Sequence, residues 1–157
     1  MSTEPAAKTS VLIESERESA REDYLVTEET DQRPVLSIVL PTLNEEDGIG
    51  ECIRSIRSVL RELQIPGEIV VSDSSTDRTP EIADSMGARV LTPDGDGYGY
   101  AYTYAFERAR GDIIAMGDAD CTYDFEELPK LIEPVRGGEA DIVMGSRLKG
   151  EILPGAM

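Results

Sequence analysis

Two aspartates separated by one residue, Asp118 and Asp120, follow an apolar run in the segment IIAMGDADCTYDF. Carboxylates at positions i and i+2 of a turning backbone can present oxygen atoms to one hard cation. Mg²⁺ and Mn²⁺ prefer such oxygen ligands and bridge the oxygens of a diphosphate. An Asp-x-Asp pair also arises easily in a chain with 32 Asp and Glu residues. The pair therefore predicts a metal site only where its place in the fold supports one.

The composition limits the partners that the protein can bind. Its 157 residues include 32 Asp and Glu but only 15 Lys and Arg, which gives a formal net charge of −17. Binding of bulk nucleic acid is not expected, because neutralising phosphates needs a surplus of basic side chains. Many acids and few lysines are typical of a protein that stays soluble at high salt, where screening makes self-repulsion tolerable. A mesophilic acidic protein is the alternative.

Residue types that the sequence lacks exclude several reaction classes. It has no histidine, so neither a Ser-His-Asp triad nor a histidine-ligated zinc site can form. It has no P-loop sequence, which argues against an ATPase. The two cysteines, Cys52 and Cys121, lack metal-ligand spacing and predict a reducing compartment without a disulfide framework. No apolar run approaches the ~20 residues of a membrane-spanning helix.

Short apolar runs alternate with amphipathic or capped segments along the chain. The predicted strands are 35–41, 68–73, 88–92, 112–118 and 141–145, and the predicted helices are 48–67, 79–87, 98–111 and 124–138. This alternation predicts an α/β fold with a parallel, doubly wound sheet. Thr79 is a predicted N-cap, and Asp124 with Glu127 predicts a capping box. Residues 1–33 are acidic with few large apolar side chains and predict a mostly disordered tail, which leaves 34–157 as the domain.

Polar and glycine residues follow the predicted strands, at the edge where parallel sheets bind ligands. They are Pro41, Asn44 and Glu45 after the first strand, Asp73 after the second, Gly95, Gly97 and Gly99 after the third, Asp118 and Asp120 after the fourth, and Ser146 and Arg147 after the fifth. The glycine run lacks the spacing and position of a dinucleotide fingerprint. A carboxylate-bound cation would let so acidic a protein hold a diphosphate, and would offset the charge that grows on it as a leaving group. The edge therefore predicts a nucleotide-sugar site.

Four segments, taken in order, resemble family-2 glycosyltransferases with the GT-A fold. They are SIVLPTLNEEDGIGECI, EIVVSDSSTDRT, GYGYAYTYAFERARGDIIAMGDAD and DIVMGSR. The sequence is most similar to the dolichyl- or polyprenyl-phosphate hexose synthases, which transfer mannose or glucose, and its acidity suggests a haloarchaeal type. The resemblance covers residues 36–157 and implies a Rossmann-like, three-layer fold with a mostly parallel sheet. It also implies that the family's domain continues past residue 157, so that the chain is truncated at its C-terminus.

The resemblance implies roles for seven residues by position. Nucleotide-sugar contacts are expected at Pro41, Asn44, Glu45, Asp73 and Asp118, Mg²⁺ or Mn²⁺ contacts at Asp118 and Asp120, and catalytic roles at Asp120 and Arg147. Asp73 is expected to recognise the base. Arg147 is expected to contact the phosphate of a lipid acceptor, because its planar guanidinium matches phosphate oxygens.

Three positions depart from the family's pattern. Ser72 stands where a first aspartate often precedes Asp73. The acidic segment 94–96 stands where a basic residue often precedes the glycine-rich helix start, which removes an expected diphosphate contact. Thr122 occupies the place of a further polar ligand after the Asp-x-Asp pair, and is expected to coordinate weakly or through water.

The resemblance implies transfer of a hexose from a UDP- or GDP-linked sugar to a polyprenyl or dolichyl phosphate, metal dependent and with inversion. The reaction is expected at the cytoplasmic face of the membrane, with membrane contact made by a C-terminal region that this chain lacks or by a partner. Two alternatives stay open. One is a catalytically silent, truncated nucleotide-binding domain, and the other is a soluble family-2 transferase that acts on a glycan.

Overall fold

A computed structural model describes residues 23–146. Its strands are β1 Leu36–Thr42, β2 Gly67–Asp73, β3 Arg89–Leu91 and β4 Ile113–Met116; its helices are α1 Ile49–Leu63, α2 Thr79–Ser85, α3 Tyr98–Phe106 and α4 Leu128–Arg136, with a 3₁₀ turn at Phe125–Glu127. The strands form a four-stranded sheet in the order β3-β2-β1-β4, and every pairing in it is parallel. The predicted parallel α/β fold is confirmed.

The two central strands, β1 and β2, are buried along their whole length. Their register pairs Leu36 with Gly67 and Thr42 with Asp73, so both strands end at the same level. β4 joins the other side of β1, and the amide of Gly117 extends that pairing by donating to the Val39 carbonyl at 3.2 Å. The loops after β1, β2 and β4 therefore leave the sheet side by side.

Helices cover both faces of the sheet and make three layers. Side chains alternate along β1, so that Ile38 and Leu40 pack in the large apolar cluster with α1. Val39, on the opposite face, packs with Tyr102 and Ala105 of α3. α1 owes its place to apolar residues at helical spacing, which bury one side of the helix. The buried members of that side are Ile49, Cys52, Ile53, Ile56, Val59 and Leu60.

The prediction of a fifth strand at residues 141–145 is wrong. Residues 141–145 form no strand, and Ile142 and Met144 are 80% and 82% exposed. Alternating apolar residues show only that a segment would gain from burial. A strand needs a partner with which to exchange backbone hydrogen bonds, and no described residue pairs with this segment.

One predicted helix cap, Thr79, is displaced, whereas the other, Asp124, caps a 3₁₀ turn. Thr79 is the first residue of α2 rather than its cap, and its backbone amide donates to Asp77 Oδ1 at 2.9 Å. Asp124 accepts the Glu126 amide at 2.9 Å, as a capping residue should, but the turn that it starts is 3₁₀ and α4 begins only at Leu128. Each carboxylate therefore satisfies an otherwise unpaired amide two residues further along the chain.

Part of the predicted tail packs on the domain. Leu25 forms a parallel bridge with Gly67, Val26 is 2% exposed, and Asp23 pairs with Arg57 of α1. Residues 1–22 and 147–157 lie outside the described residues, so the disorder predicted for the former stays a prediction. Within the described residues, every helix is too short or too polar to span a bilayer.

Candidate functional site

An open cavity of about 260 Å³ lies at the carboxyl edge of the sheet. Its lining comes from the loops after β1, β2 and β4 and from the start of α3, and consists of Pro41, Thr42, Leu43, Glu45, Ser74, Gly97, Tyr98, Ala101, Asp118, Ala119 and Asp120. Four of the seven residues to which the sequence resemblance gave roles therefore meet here: Pro41, Glu45, Asp118 and Asp120. Asn44 and Asp73 lie next to the cavity but do not line it, and Arg147 lies outside the described residues.

Asp73 stabilises the ends of the two central strands beside the cavity. The residue is 6% exposed. Oδ1 accepts the Thr42 hydroxyl at 2.6 Å, and Oδ2 accepts the Ser75 amide at 3.2 Å. Oδ1 thus holds together the ends of β1 and β2, and Oδ2 holds the loop that follows β2. Base recognition by Asp73 stays a prediction, and in this structure the side chain fixes the loops.

Ser72, the neighbouring departure from the family's pattern, is fully buried. Its hydroxyl is the one buried side-chain polar atom without a hydrogen-bond partner among the described residues.

Asn44 ties the loop after β1 to the loop after β2. It adopts a left-handed backbone, with φ of 56°, which asparagine tolerates better than most residues. Its side-chain oxygen accepts the amides of Thr76 at 2.9 Å and Asp77 at 3.3 Å. Its own amide donates to the Ser75 hydroxyl at 2.7 Å. The side chain therefore positions its neighbour Glu45 and is exposed beside the cavity.

Glu45 brings a third carboxylate to the cavity. Its amide is held by the Thr79 hydroxyl at 2.9 Å. Burial raises the pKa of the Glu45 carboxyl, and so do the negative charges of Asp120, Asp118 and Asp77. None of the described lysines or arginines lines the cavity. The site therefore concentrates negative charge that a bound cation would offset.

Asp118 is held by two tyrosines of α3. The hydroxyl of Tyr98 donates to Asp118 Oδ1 at 2.5 Å, and that of Tyr102 lies 3.3 Å from the same oxygen. The hydrogen bond with Asp118 raises the pKa of Tyr98, and burial raises the pKa of Tyr102. Both phenols therefore stay protonated donors. Sequence reasoning missed these residues, although their four-residue spacing on a helix that starts at the sheet edge was a usable signal.

Asp120 is held by Thr122, two residues further along the chain. The Thr122 hydroxyl donates to Asp120 Oδ1 at 2.6 Å and its amide at 3.0 Å. These two hydrogen bonds, the hydroxyl first, lower the pKa of Asp120. Cys121 between them has φ of 64°, which turns the chain sharply. Thr122 thus orients Asp120 here, and coordination by Thr122 itself stays a prediction.

The donor set fits a hard divalent cation that takes part of its coordination from a ligand. No group of three His, Cys, Asp or Glu side chains is placed to hold a metal anywhere in residues 23–146. Asp118 and Asp120 offer two carboxylates at the cavity. Mg²⁺ is commonly bound by one or two carboxylates together with waters and substrate phosphates. The site could therefore hold such an ion with a diphosphate present.

Curated relatives match most of this chain. The family model described as glycosyl transferase family 2 matches residues 37–155. A Haloferax volcanii protein described as low-salt glycan biosynthesis hexosyltransferase Agl6 is 63% identical over 136 residues, which are 87% of this chain and 33% of that protein. A dolichyl-phosphate hexose transferase of the same species is 38% identical over 113 residues, 72% of this chain and 48% of that protein.

Solved structures show the same fold. Glucosyl-3-phosphoglycerate synthase from Mycobacterium tuberculosis, in complex with Mn²⁺, UDP-glucose and phosphoglyceric acid, is 33% identical with a TM-score of 0.56, over 68% of this chain and 40% of that chain. Mannosyl-3-phosphoglycerate synthase from Rubrobacter xylanophilus is 32% identical with a TM-score of 0.57, over 65% of this chain and 36% of that chain.

The chain spans between a third and a half of the length of the two Haloferax relatives, at 33% and 48%. The matched residues are thus part of longer proteins. The chain belongs to glycosyl transferase family 2 and forms part of a GT-A fold.

Proposed function

We propose that this domain binds a nucleotide sugar in the cavity, with Mg²⁺ or Mn²⁺ held between Asp118, Asp120 and the diphosphate. The whole protein then transfers a hexose, with inversion, from a UDP- or GDP-linked sugar to a polyprenyl or dolichyl phosphate. The observation that carries the proposal is the meeting of Glu45, Asp118 and Asp120 at one cavity beyond the ends of β1 and β4. Parallel α/β sheets bind ligands at this edge.

The relatives support this choice of chemistry. Two of them are described as a hexosyltransferase and a dolichyl-phosphate hexose transferase. One solved neighbour holds Mn²⁺ and UDP-glucose. The proposed nucleotide-sugar donor and divalent cation therefore match the UDP-glucose and Mn²⁺ of the solved neighbour. The proposed lipid-phosphate acceptor matches the dolichyl phosphate in the name of the relative.

Each residue has a part that its surroundings support. A bound cation would supply positive charge against the leaving diphosphate. Asp118 and Asp120 present carboxylates to it, and Glu45 accepts a hydrogen bond from the nucleotide part of the donor beside Pro41. Asn44 and Asp73 hold these groups in place through the loops that they brace.

The acceptor side rests on residues beyond the described part. Arg147 binds the acceptor phosphate in this proposal, because a guanidinium pairs well with phosphate oxygens. A phosphate acceptor is already ionised and needs little help from a general base. Catalysis is then mostly positioning and stabilisation of charge. Contact with the cytoplasmic face of the membrane is made by sequence outside this chain.

Replacement of Asp120 tests the cation site. In calorimetry, the unchanged domain should bind UDP or GDP more tightly with Mn²⁺ than without it. Asp120→Asn should remove that dependence, because an amide is a much weaker ligand for a hard cation than a carboxylate. Asp96→Asn is the matched control, since Asp96 is also exposed and acidic but does not line the cavity. Equal Mn²⁺-dependent affinity in Asp120→Asn and the unchanged domain would contradict the assignment.

A transfer assay separates the proposal from its alternatives. This chain, and a version extended to the length of its relatives, are incubated with labelled UDP- and GDP-sugars, Mn²⁺ and a lipid phosphate. Label in the lipid phase supports the proposed reaction. Activity of the extended version alone makes the present chain a silent nucleotide-binding part. Label only on an added soluble acceptor supports a soluble transferase. The solved neighbours favour this alternative, because their names give glycosides of phosphoglycerate as products.

A further inference from the structure

Two phenol groups converge on a single oxygen of Asp118. Tyr98 and Tyr102 both lie within hydrogen-bonding distance of Oδ1, at 2.5 Å and 3.3 Å. The single proton of the Tyr102 hydroxyl is shared between this oxygen and the Gly117 carbonyl, 3.1 Å away, so Tyr98 is the principal donor. No described residue donates a hydrogen bond to Asp118 Oδ2. One oxygen of the carboxylate is thus occupied by protein donors, and the other is left for a ligand.

The two phenols are themselves held by packing. Their rings meet edge to face with centroids 5.0 Å apart, and the Tyr102 ring packs on Phe106 at 5.6 Å. Tyr102 is only 6% exposed, whereas Tyr98 is 61% exposed and lines the cavity. Because tyrosine has only two side-chain torsions, α3 fixes both hydroxyls once the rings are packed. The helix therefore carries a rigid pair of donors to the end of β4.

We propose that Tyr98 and Tyr102 are positioning residues for the cation. They hold Asp118 Oδ1, which leaves Oδ2 without a described hydrogen-bond donor and available to Mg²⁺ or Mn²⁺. The inference rests on the proposed function, in which Asp118 is a cation ligand. Hydrogen-bond partners of this kind orient a ligating side chain before the ion arrives, and their loss commonly weakens metal binding about 10-fold to 100-fold.

Tyr100 supplies a matched control on the same helix. Its hydroxyl donates to Asp94 and makes no contact with Asp118, and its ring packs on Gly95. Tyr100→Phe removes a phenolic hydroxyl from α3 as Tyr98→Phe does, but it leaves both donors to Asp118 in place. Any general effect of losing a tyrosine hydroxyl on α3 is thereby measured separately.

The first test measures the affinity for Mn²⁺ without nucleotide and then with UDP, by electron paramagnetic resonance of the free ion. Tyr98→Phe should weaken Mn²⁺ binding about 10-fold, whereas Tyr100→Phe should bind like the unchanged domain. Thermal unfolding should be similar in both variants, because Tyr98 is largely exposed. Tyr102→Phe should also weaken binding. Since Tyr102 is buried, the Mn²⁺ affinity of Tyr102→Phe is interpreted together with the thermal unfolding midpoint of that variant.

A spectroscopic readout separates positioning from general packing. With ¹³C-labelled tyrosine, the Cζ resonances of Tyr98 and Tyr102 should move when Mg²⁺ is titrated, while that of Tyr100 should stay. Unchanged Mn²⁺ affinity in Tyr98→Phe, with Asp118→Asn still abolishing binding, would overturn this inference and leave the proposed function standing. If the unchanged domain binds no Mn²⁺ with or without UDP, both the inference and the proposed cation site are wrong.

Discussion

Glu45 carries a charge that its surroundings disfavour. Burial and the carboxylates of Asp120, Asp118 and Asp77 all raise its pKa, and no described basic side chain lines the cavity to offset them. A carboxylate kept in such a place costs stability in the absence of ligand. Functional sites commonly keep groups of this kind, because binding needs them more than folding does.

Replacing Glu45 should therefore stabilise the domain without ligand. The folded-state pKa is raised above the ordinary value of 4.5, so the ionised form is disfavoured by folding, and stability falls as pH rises through that range. Glu45→Gln should unfold at a higher temperature than the unchanged domain at neutral pH. The difference should vanish in acid, where the glutamate is protonated in both states. Thermal unfolding at several pH values measures this.

Glu62→Gln is the control, because Glu62 is exposed on α1 away from the cavity. It should show no comparable gain. A Glu45→Gln domain that is no more stable than the Glu62→Gln domain at neutral pH would contradict the assigned repulsion.

At the scale of elements, a buried carboxylate ties the strands together at the opposite end of the sheet. Glu68 of β2 is fully buried. It accepts the Ser37 hydroxyl of β1 at 2.7 Å and the Arg110 amide at 2.7 Å, and it forms ion pairs with Arg89 of β3 and Arg110. Burial acts to raise the pKa of Glu68, but these hydrogen bonds and the charge of Arg89 outweigh it and lower the pKa.

Removing the charge of Glu68 should be costly. Glu68→Gln leaves Arg89 without its anion, and we expect the free energy of unfolding to fall by about 3 kcal/mol. This is the low end of the range for a broken buried ion pair, because Arg110 is partly exposed and water can hydrate its charge. The lowered pKa means that the stabilisation is present above the ordinary pKa and is lost as pH falls through the folded-state value. The variant should therefore lose part of the domain's acid sensitivity. Urea denaturation at neutral and acid pH gives both quantities.

An exposed ion pair provides the comparison. Arg78 and Glu81 are 3.6 Å apart, with side chains 74% and 73% exposed. Glu81→Gln should change the free energy of unfolding by less than about 1 kcal/mol. Similar losses in Glu81→Gln and Glu68→Gln would show that burial of the carboxylate does not set its contribution.

At the scale of the whole molecule, charge repulsion is the dominant electrostatic feature. The chain carries a net charge of −17, and folding brings these charges closer than they are in an unfolded chain. Salt screens exposed charges over distances that shrink as its concentration rises. Compact folding of so acidic a chain should therefore depend on salt.

The thermal midpoint should rise steadily between about 0.05 M and about 1 M KCl, since the Debye length shrinks over that range. Chloride is preferred to sulfate, because sulfate also strengthens apolar burial. Repeating the series in acid is the control, as protonated carboxylates no longer repel and the effect of salt should shrink. A midpoint that does not move with KCl at neutral pH would remove the case for salt-dependent folding.

Local patterns in the sequence predicted most of the elements. β1, β2, α1 and α3 follow from apolar spacing, turn residues and length, which are properties of a single segment. The fifth strand at 141–145 could not be judged in this way, because pairing is decided by another part of the chain. Gly111 shows the same limit. It reads as a helix stop, yet a Cβ there would lie 2.7 Å from the Ser37 amide nitrogen, so close packing against β1 requires the glycine.

The sequence by itself determined that Glu45, Asp118 and Asp120 belong to one edge, because parallel strands place their carboxyl ends together whatever the details of the loops. Only the tertiary structure decided which residues at that edge line the cavity and which hold the loops in place. Asn44 and Asp73 brace loops, and Tyr98 reaches Asp118. These contacts join residues 20 to 31 positions apart. Their hydrogen bonds of 2.5 to 2.7 Å require neighbouring loops to be placed accurately, and the pattern of a single segment does not specify that placement.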